Sequence, residues 1–395
     1  MKRTPAENRL ARALASRTKT TSSDWFPVFK ARYGMQVAFE AVRDEIGEGS
    51  VSTQLLTCCT AVAPILVAGL VPRYEEISAE TASIDPMWWV PAAPIRALVI
   101  QHTYGLIDEA SARVLVDCAH ASGIVVVEDS AHCAGRLARD AQGRPLADVS
   151  VHSFGIEKML PSQFGGAVWV NPKSPFPAFS AELARRLSGL PVMGRRLDAL
   201  CRSYLNELRA LMHLPGGLRR ALWDALPRWG LFEPAVTAVE RAGGLGHEAL
   251  RPSPAVCDRA LAALEGLDEL ERTHAVAVET YRRELADVPG LTPVGASVPA
   301  GQPLLRFPVL ATDTDTADRI TQAVCEAGFY TTAWYRPELT PGVTDQAAYG
   351  VPGPEDRGRL AVTDDFIARV ATLPAGVTAE EASRIAAVVR DVVTS

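Results

Sequence analysis

Two short segments hold the residues best suited to chemistry. Val125-Val126-Val127-Glu128-Asp129-Ser130-Ala131-His132 is an apolar run that ends on an acid. Further on, Val151-His152-Ser153-Phe154-Gly155-Ile156-Glu157-Lys158 offers a second apolar run, a serine at its end and a lysine five positions after that serine. Gly165-Gly166-Ala167-Val168 then turns into another apolar run. A lysine beside the strand ends of a parallel sheet, with a carboxylate on a neighbouring strand, suits pyridoxal phosphate (PLP). The amine forms a Schiff base with the cofactor aldehyde. The acid accepts the pyridine N–H and keeps the ring an electron sink, and the serine hydroxyl donates to the phosphate. Singly, each residue has a plainer reading. An acid closing a strand is commonly a helix cap, and a lysine after a strand is commonly solvated. Their order and spacing together point to the chemistry.

The elements that must position these residues are legible in the hydropathy. Between residues 26 and 172, strand-like runs at 51–58, 71–77, 95–101, 124–128, 149–154 and 167–170 alternate with helical patterns at 34–46, 59–68 and 109–122. Val- and Ile-rich runs separated by helices predict an α/β fold with a mainly parallel sheet, covered on both faces. Ligands of such sheets bind at the carboxyl ends of the strands, where Asp129 and Ser153 fall. Residues 172–250 change character to helical, with Arg, Leu and Trp prominent. The pairs Arg185-Arg186, Arg195-Arg196 and Arg219-Arg220 read as solvated faces, or else as a partner surface or a site for an acidic substrate or a lipid headgroup. A long amphipathic helix is expected from Pro254 to the Pro289-Gly290 stop, then a strand at 304–310, a helix at 316–327 and a closing helix. The last opens on Thr378-Ala379-Glu380-Glu381, a capping-box pattern. This division gives an N-terminal arm (1–25), a large domain (26–250) with a helical insertion at about 174–245, and a small α+β domain (251–395).

Composition narrows the class. The chain has 395 residues, 48% of them hydrophobic and 22% charged. That is ample material for cores, and the length fits two domains. With 40 Lys+Arg against 46 Asp+Glu, it lacks the basic excess of a nucleic-acid-binding protein. No apolar run approaches the ~20 residues that span a bilayer. Residues 1–23 are basic and Ser/Thr-rich without an apolar centre, which reads as a flexible arm rather than a secretory signal. Seven cysteines, with no C-x-x-C, imply neither a disulfide framework nor a metal site. The expectation is a cytoplasmic enzyme without a membrane span.

Glu128-Asp129-Ser130-Ala131-His132 resembles the E-D-x-A-Q/H motif of the DegT/StrS-type sugar aminotransferases. Ser153-Phe154-Gly155-Ile156-Glu157-Lys158 with Gly165-Gly166-Ala167 is similar to that family's S-F-x-x-x-K and G-G-A/M segment. Further likeness lies in Ala68-Gly69-Leu70-Val71-Pro72, in His102-Thr103-Tyr104-Gly105, in the Leu267 to Tyr281 helix and in Leu373-Pro374 with the final helix. The resemblance covers nearly the whole chain except residues 172–250. It implies the fold type I, aspartate aminotransferase-like architecture, PLP as cofactor, and a homodimer with sites at the subunit interface. Position by position, it implies that Lys158 carries the cofactor and shuttles protons and that Asp129 pairs with the pyridinium. It puts His132 facing the phenolic oxygen and Ser153 on the phosphate. Arg32-Tyr33-Gly34-Met35, before a helix, falls where the family has its S-G-T phosphate loop, with Gly34 and Met35 against the cofactor.

The chain also departs from the pattern. S-G-T is missing. Cys58, in Thr57-Cys58-Cys59, stands where an aromatic normally stacks on the ring, and is either a cofactor contact or buried filler. The family's phosphate-binding asparagine falls near Ala249. His102 reads equally as a substrate contact or as a strut for its strand end. Tyr330, Trp334 and Tyr335 read equally as a substrate mouth or as interdomain core. The function implied is transfer of an amino group from Glu or Gln to a nucleotide-linked keto-sugar, in polysaccharide or antibiotic sugar synthesis. Two alternatives stand beside it: a PLP-dependent sugar dehydratase, which the retained Lys158 opposes, and a catalytically silent homologue with a regulatory or assembly role.

Overall fold

The computed structural model describes residues 2–394, apart from the side chain of residue 224. Among the described residues, seven strands form the large sheet: β1 (Trp25–Val28), β2 (Ser50–Thr53), β3 (Val71–Tyr74), β4 (Ile95–Gln101), β5 (Val125–Asp129), β6 (Val149–Ser153) and β7 (Gly166–Val170). Their order is β1-β7-β6-β5-β4-β2-β3. The five strands from β6 to β3 run parallel, while β7 pairs antiparallel with both β6 and β1. Helices α2 (Ala31–Glu45), α3 (Cys59–Val67) and α4 (Glu109–Ala121) cover the faces. Their apolar sides and the strand residues make two layers, one around Val99, Val127 and Val151 and one around Leu98, Val126 and Leu115. The expected parallel α/β sheet is present, and the carboxyl ends of β5 and β6 lie side by side, with Asp129 registered on Val151.

The N-terminal stretch is not a flexible arm. Helix α1 (Pro5–Thr18) begins with a capping box, in which Glu7 and Thr4 exchange side-chain-to-backbone bonds, and has Pro at its first position. Its face of Leu10, Leu14 and Ala11 is buried against Trp169, Cys257 and Ala260. The basic, Ser/Thr-rich composition conceals that 3–4 spacing. Arg17 also pairs with Asp268 and Glu271, and Arg9 with Asp258 at 2.7 Å.

The insertion is helical as expected: α5 (Pro177–Gly189), α6 (Arg195–Met212), α7 (Gly216–Arg228) and the single turn α8 (Ala238–Arg241). Beyond it, the expected long helix is two. Helix α9 (Pro254–Glu265) stops at Gly266 and α10 (Leu267–Leu285) follows. Helix α9 packs on α1 and belongs to the large-domain core, so the smaller body begins effectively at α10. Its sheet is β10-β9-β8, built from β8 (Thr292–Pro293), β9 (Arg306–Leu310) and β10 (Val370–Pro374). Helices α11 (Thr314–Glu326) and α13 (Ala379–Thr394) pack on it, and α12 (Ala361–Arg369) leads into β10. Between α11 and α12 the chain returns to the large domain, where Leu339, Tyr349 and Leu360 join its core.

Candidate active site

A cavity of about 390 Å³ lies at the carboxyl ends of β5 and β6. Lys158, Asp129, His132, Ser153, Cys58, Met35 and His102 all line it. The strand-end rule therefore brings most of the expected set together. Asp129 ends β5, and its Oδ1 accepts from the Ala131 N–H at 2.9 Å. Burial pushes its carboxyl up, against the Ala131 amide and the nearby Lys158 cation, which pull it down. Lys158 follows a turn in which its N–H donates to the Gly155 carbonyl at 3.2 Å. Its Nζ lies 5.3 Å from the ring centre of Trp334 and has no hydrogen-bond or ion-pair partner among the described residues. Burial lowers its pKa, against the pull of Cys58, Asp129 and Glu157. A lysine amine with a lowered pKa in a cavity is suited to act as nucleophile and proton carrier.

Glu128, one residue before Asp129, faces the other side of the sheet. It contacts His102 Nε2 at 2.8 Å and accepts from the Ala138 N–H at 2.7 Å. Burial raises its carboxyl, but the bonds from His102, Ser150 and Ala138 outweigh that and hold it low. His102 reaches the cavity wall yet spends Nε2 on this buried pair, so it anchors the strand ends of β4 and β5. His132 has both ring nitrogens engaged. Nδ1 accepts from the Tyr104 N–H at 3.0 Å, which leaves Nε2 as the protonated nitrogen facing Tyr335 Oη at 2.8 Å. Burial, with Lys158 and Arg306 nearby, keeps this imidazole neutral. Its ring stacks on Trp334 at 5.1 Å and on Tyr335 at 5.8 Å. His132 therefore ties the large domain to the segment following α11.

Trp334 and Tyr335 line the cavity, whereas Tyr330 stands at its rim, 66% exposed. The Tyr330 hydroxyl donates to Glu157 at 3.0 Å, beside Lys158. Cys58 caps the start of α3 and contacts the Thr60 hydroxyl at 3.1 Å. The adjacent Cys59 thiol lowers its pKa, with Thr60, Lys158 and Arg32 acting the same way against burial.

The phosphate-loop reading is displaced. Gly34 does not face the cavity. It lies inside α2, where an added Cβ would sit 2.4 Å from a Val168 methyl, so it permits close packing of helix on sheet. The residues presented at the N-terminus of α2 are Lys30, Ala31 and Arg32. Lys30, the N-cap, makes no side-chain capping bond, and the first amides of a helix favour anions. Both cations are held by carboxylates of the insertion. Lys30 pairs with Glu233, which also contacts His247 Nε2 at 2.9 Å, and Arg32 pairs with Glu240. Arg32 Nη1 and Glu240 Oε1, though close, form no aligned hydrogen bond. The insertion adds Tyr204, Trp223, Ala235 and Val236 to the wall. Sequence reading missed Lys30, Glu233 and Glu240. The one available signal was Lys30 immediately before the helix, because the acids act across some 200 residues of chain.

The donor set fits PLP. A half-buried amine with no partner among the described residues, an acid at a strand end, a serine hydroxyl and a helix N-terminus with two cations converge on one cavity. Lys158 would hold the aldehyde end, Asp129 the ring nitrogen, and Ser153 with the start of α2 the phosphate.

Comparison with known proteins agrees with this geometry. The model of the DegT/DnrJ/EryC1/StrS aminotransferase family matches residues 30–176 and 255–390, leaving out the helical insertion. Among solved structures, the aminotransferase TlmJ from Streptoalloteichus hindustanus superposes with a TM-score of 0.70 at 21% identity, over 99% of this chain and 92% of TlmJ. DesI, solved in the presence of its TDP-sugar product, gives 0.69 at 22% identity over 100% and 86%. The ntda protein of Bacillus subtilis, with bound cofactor PMP, gives 0.71 at 15% over 100% and 78%. These likenesses carry the fold, that of the fold type I PLP aminotransferases. Among curated proteins, MosB of Rhizobium meliloti is 27% identical over 137 residues, which are 33% of this chain and 26% of MosB. With the family model matched on both sides of the insertion and the fold shared end to end, the chain belongs to the DegT/DnrJ/EryC1/StrS aminotransferase family.

Proposed function

We propose that this protein is a PLP-dependent aminotransferase that moves an amino group from an amino acid, Glu or Gln, to a keto-sugar. The acceptor is nucleotide-linked in this reading, and the pathway makes a polysaccharide or antibiotic sugar. The observation that carries it is the half-buried Lys158 amine, unpartnered among the described residues, in one cavity with Asp129. When bound, PLP supplies the electron sink for labilising a C–H bond beside the nitrogen. The chain's own residues supply the rest. Lys158 takes and returns the proton, with an amine whose pKa desolvation lowers. Asp129, held by the Ala131 N–H, keeps an anion at the ring end. Neutral His132 holds Tyr335 at the cavity wall. The aromatic wall of Trp334, Trp223 and Tyr204 excludes water.

In this reading the enzyme works as a cytoplasmic homodimer. Its seven cysteines are all free, as in a reducing compartment, and no helix among the described residues is long and apolar enough to cross a membrane. A second reading, a catalytically silent partner, draws support from Cys58 in place of a stacking ring and from Lys30 and Arg32 being already paired.

One experiment separates the readings. Purified protein titrated with PLP should develop the cofactor absorbance band, which amino donor then bleaches. Lys158→Ala should lower turnover by at least roughly 10⁴-fold. A protein that takes up PLP but answers no donor supports the silent partner. Mass spectrometry of the product distinguishes amine gain from the water loss of a dehydratase.

A further inference from the structure

Two carboxylates of the insertion stand behind the cations at the start of α2. Lys30 pairs with Glu233 and Arg32 with Glu240. Lys30 and Arg32 line the cavity, whereas neither acid does. The backbone of the insertion completes the clasp. Lys30 Nζ donates to the Pro234 carbonyl at 3.2 Å, and Arg32 Nη2 donates to the Ala235 carbonyl at 2.8 Å. Both acids lie in residues that the family model leaves out, so the clasp belongs to the insertion.

Each acid has a second donor of its own. Glu233 Oε2 contacts His247 Nε2 at 2.9 Å, and Glu240 Oε2 accepts from the Thr237 N–H at 2.7 Å in the capping box of α8. The Glu240 carbonyl also accepts from the Tyr349 hydroxyl. Burial raises both carboxyls, but His247 and Lys30 hold Glu233 at about 2, and Arg32 and Lys30 hold Glu240 low, so both are anions. Arg32 is less well served. Its Nη1 lies against Glu240 Oε1 without an aligned hydrogen bond, and both atoms are buried. A buried charged donor in that state is costly, and an anionic oxygen on its cavity side would satisfy it. The Ser153 hydroxyl lines the same cavity without a partner among the described residues.

Charge decides what that oxygen belongs to. A lysine, a guanidinium fork and the free amides of a helix start together suit a phosphate monoester. The two ion pairs, however, already sum to zero. A phosphate dianion added to them would have its attraction to the cations opposed by the carboxylates behind. That opposition is relieved if the cations turn from the carboxylates toward the cavity.

We propose a carboxylate-for-phosphate exchange at the start of α2. Lys30 and Arg32 leave Glu233 and Glu240 to hold the phosphate of the cofactor, and the insertion loses its clasp on α2. The identity of the phosphate rests on the aminotransferase reading. Loading with cofactor thereby loosens residues 233–240, while the second donors of the two acids keep them from being stranded.

The test uses the cofactor-free full chain, with inorganic phosphate, PLP and pyridoxal as calorimetric probes. Glu233→Gln and Glu240→Gln keep an acceptor for the second donor and lose the competing charge. Each should bind phosphate and PLP roughly 5- to 10-fold more tightly. Lys30→Gln and Arg32→Gln should bind both at least roughly 10-fold more weakly. Pyridoxal, which has no phosphate, should bind wild type and all four variants alike. In wild type, hydrogen exchange of amides 231–240 should quicken on binding phosphate or PLP. Unchanged phosphate affinity in either Glu variant overturns the exchange for that pair. Slower or unaltered hydrogen exchange overturns it for both, and decides alone if the Gln variants do not fold. Wild type that binds PLP no better than pyridoxal also overturns it, as does phosphate displaced by a nucleoside diphosphate but not by PLP. Failure of the aminotransferase reading looks different: the phosphate and hydrogen-exchange results stand, while no amino donor answers the PLP form.

Discussion

Lys158 makes a thermodynamic cost visible at the scale of one residue. Its side chain is half-buried, its amine has no hydrogen-bond or ion-pair partner among the described residues, and desolvation lowers its pKa. Between the folded and unfolded values the unfolded chain binds more protons, so stability attributable to this group rises with pH. Cofactor-free Lys158→Met should therefore resist denaturant better than cofactor-free wild type at neutral pH. The gap should narrow as pH climbs toward the ordinary lysine range. Equal unfolding midpoints at both pH values would contradict this. Asp129 and Lys158 were legible in the sequence because strand ends of parallel sheets face ligands, a rule that needs only local hydropathy. Glu233 and Glu240, which hold Lys30 and Arg32, were not. Their significance lies in partners far along the chain. Gly34 was misplaced for a related reason: a glycine next to a helix start reads as a loop until the facing Val168 is seen.

Elements show the same division. Parallel strands between helices announce themselves as Val-rich runs, and β4 and β5 were expected within a residue or two. Strand β1 escaped notice. Trp25-Phe26-Pro27-Val28 is four residues long, contains proline and pairs on only one side. Proline is tolerated at such an edge, but the run is too short to display a period. Helix α1 was hidden by its charged residues, although Thr4 and Glu7 spell a capping box. Leu14 lies fully buried on its inner face. Leu14→Ala should destabilise the protein by roughly 2–5 kcal/mol, measured by chemical denaturation. A flexible arm would register no change. Gly266 divides what hydropathy presents as one helix, because an apolar stripe can continue across a single-residue break.

At the scale of the whole molecule, the site is assembled from distant regions, among them the starts of α2 and α3, the ends of β4, β5 and β6, the insertion, and the segment around Trp334. The proposed homodimer belongs here. Sedimentation should give twice the 42.4 kDa chain mass, and a monomer at every concentration would refute it. A separate consequence concerns time. Part of the packing of α1 comes from α9, and its ion pairs to α9 and α10 span 249 to 254 positions of sequence. During synthesis, at roughly 5–20 residues per second, the apolar face of Leu10 and Leu14 stays only partly covered for on the order of tens of seconds before α9 exists. Expression yield should therefore respond to chaperone supply more strongly than the stability of the finished fold would indicate, and Leu10 and Leu14 are where a holding chaperone would bind.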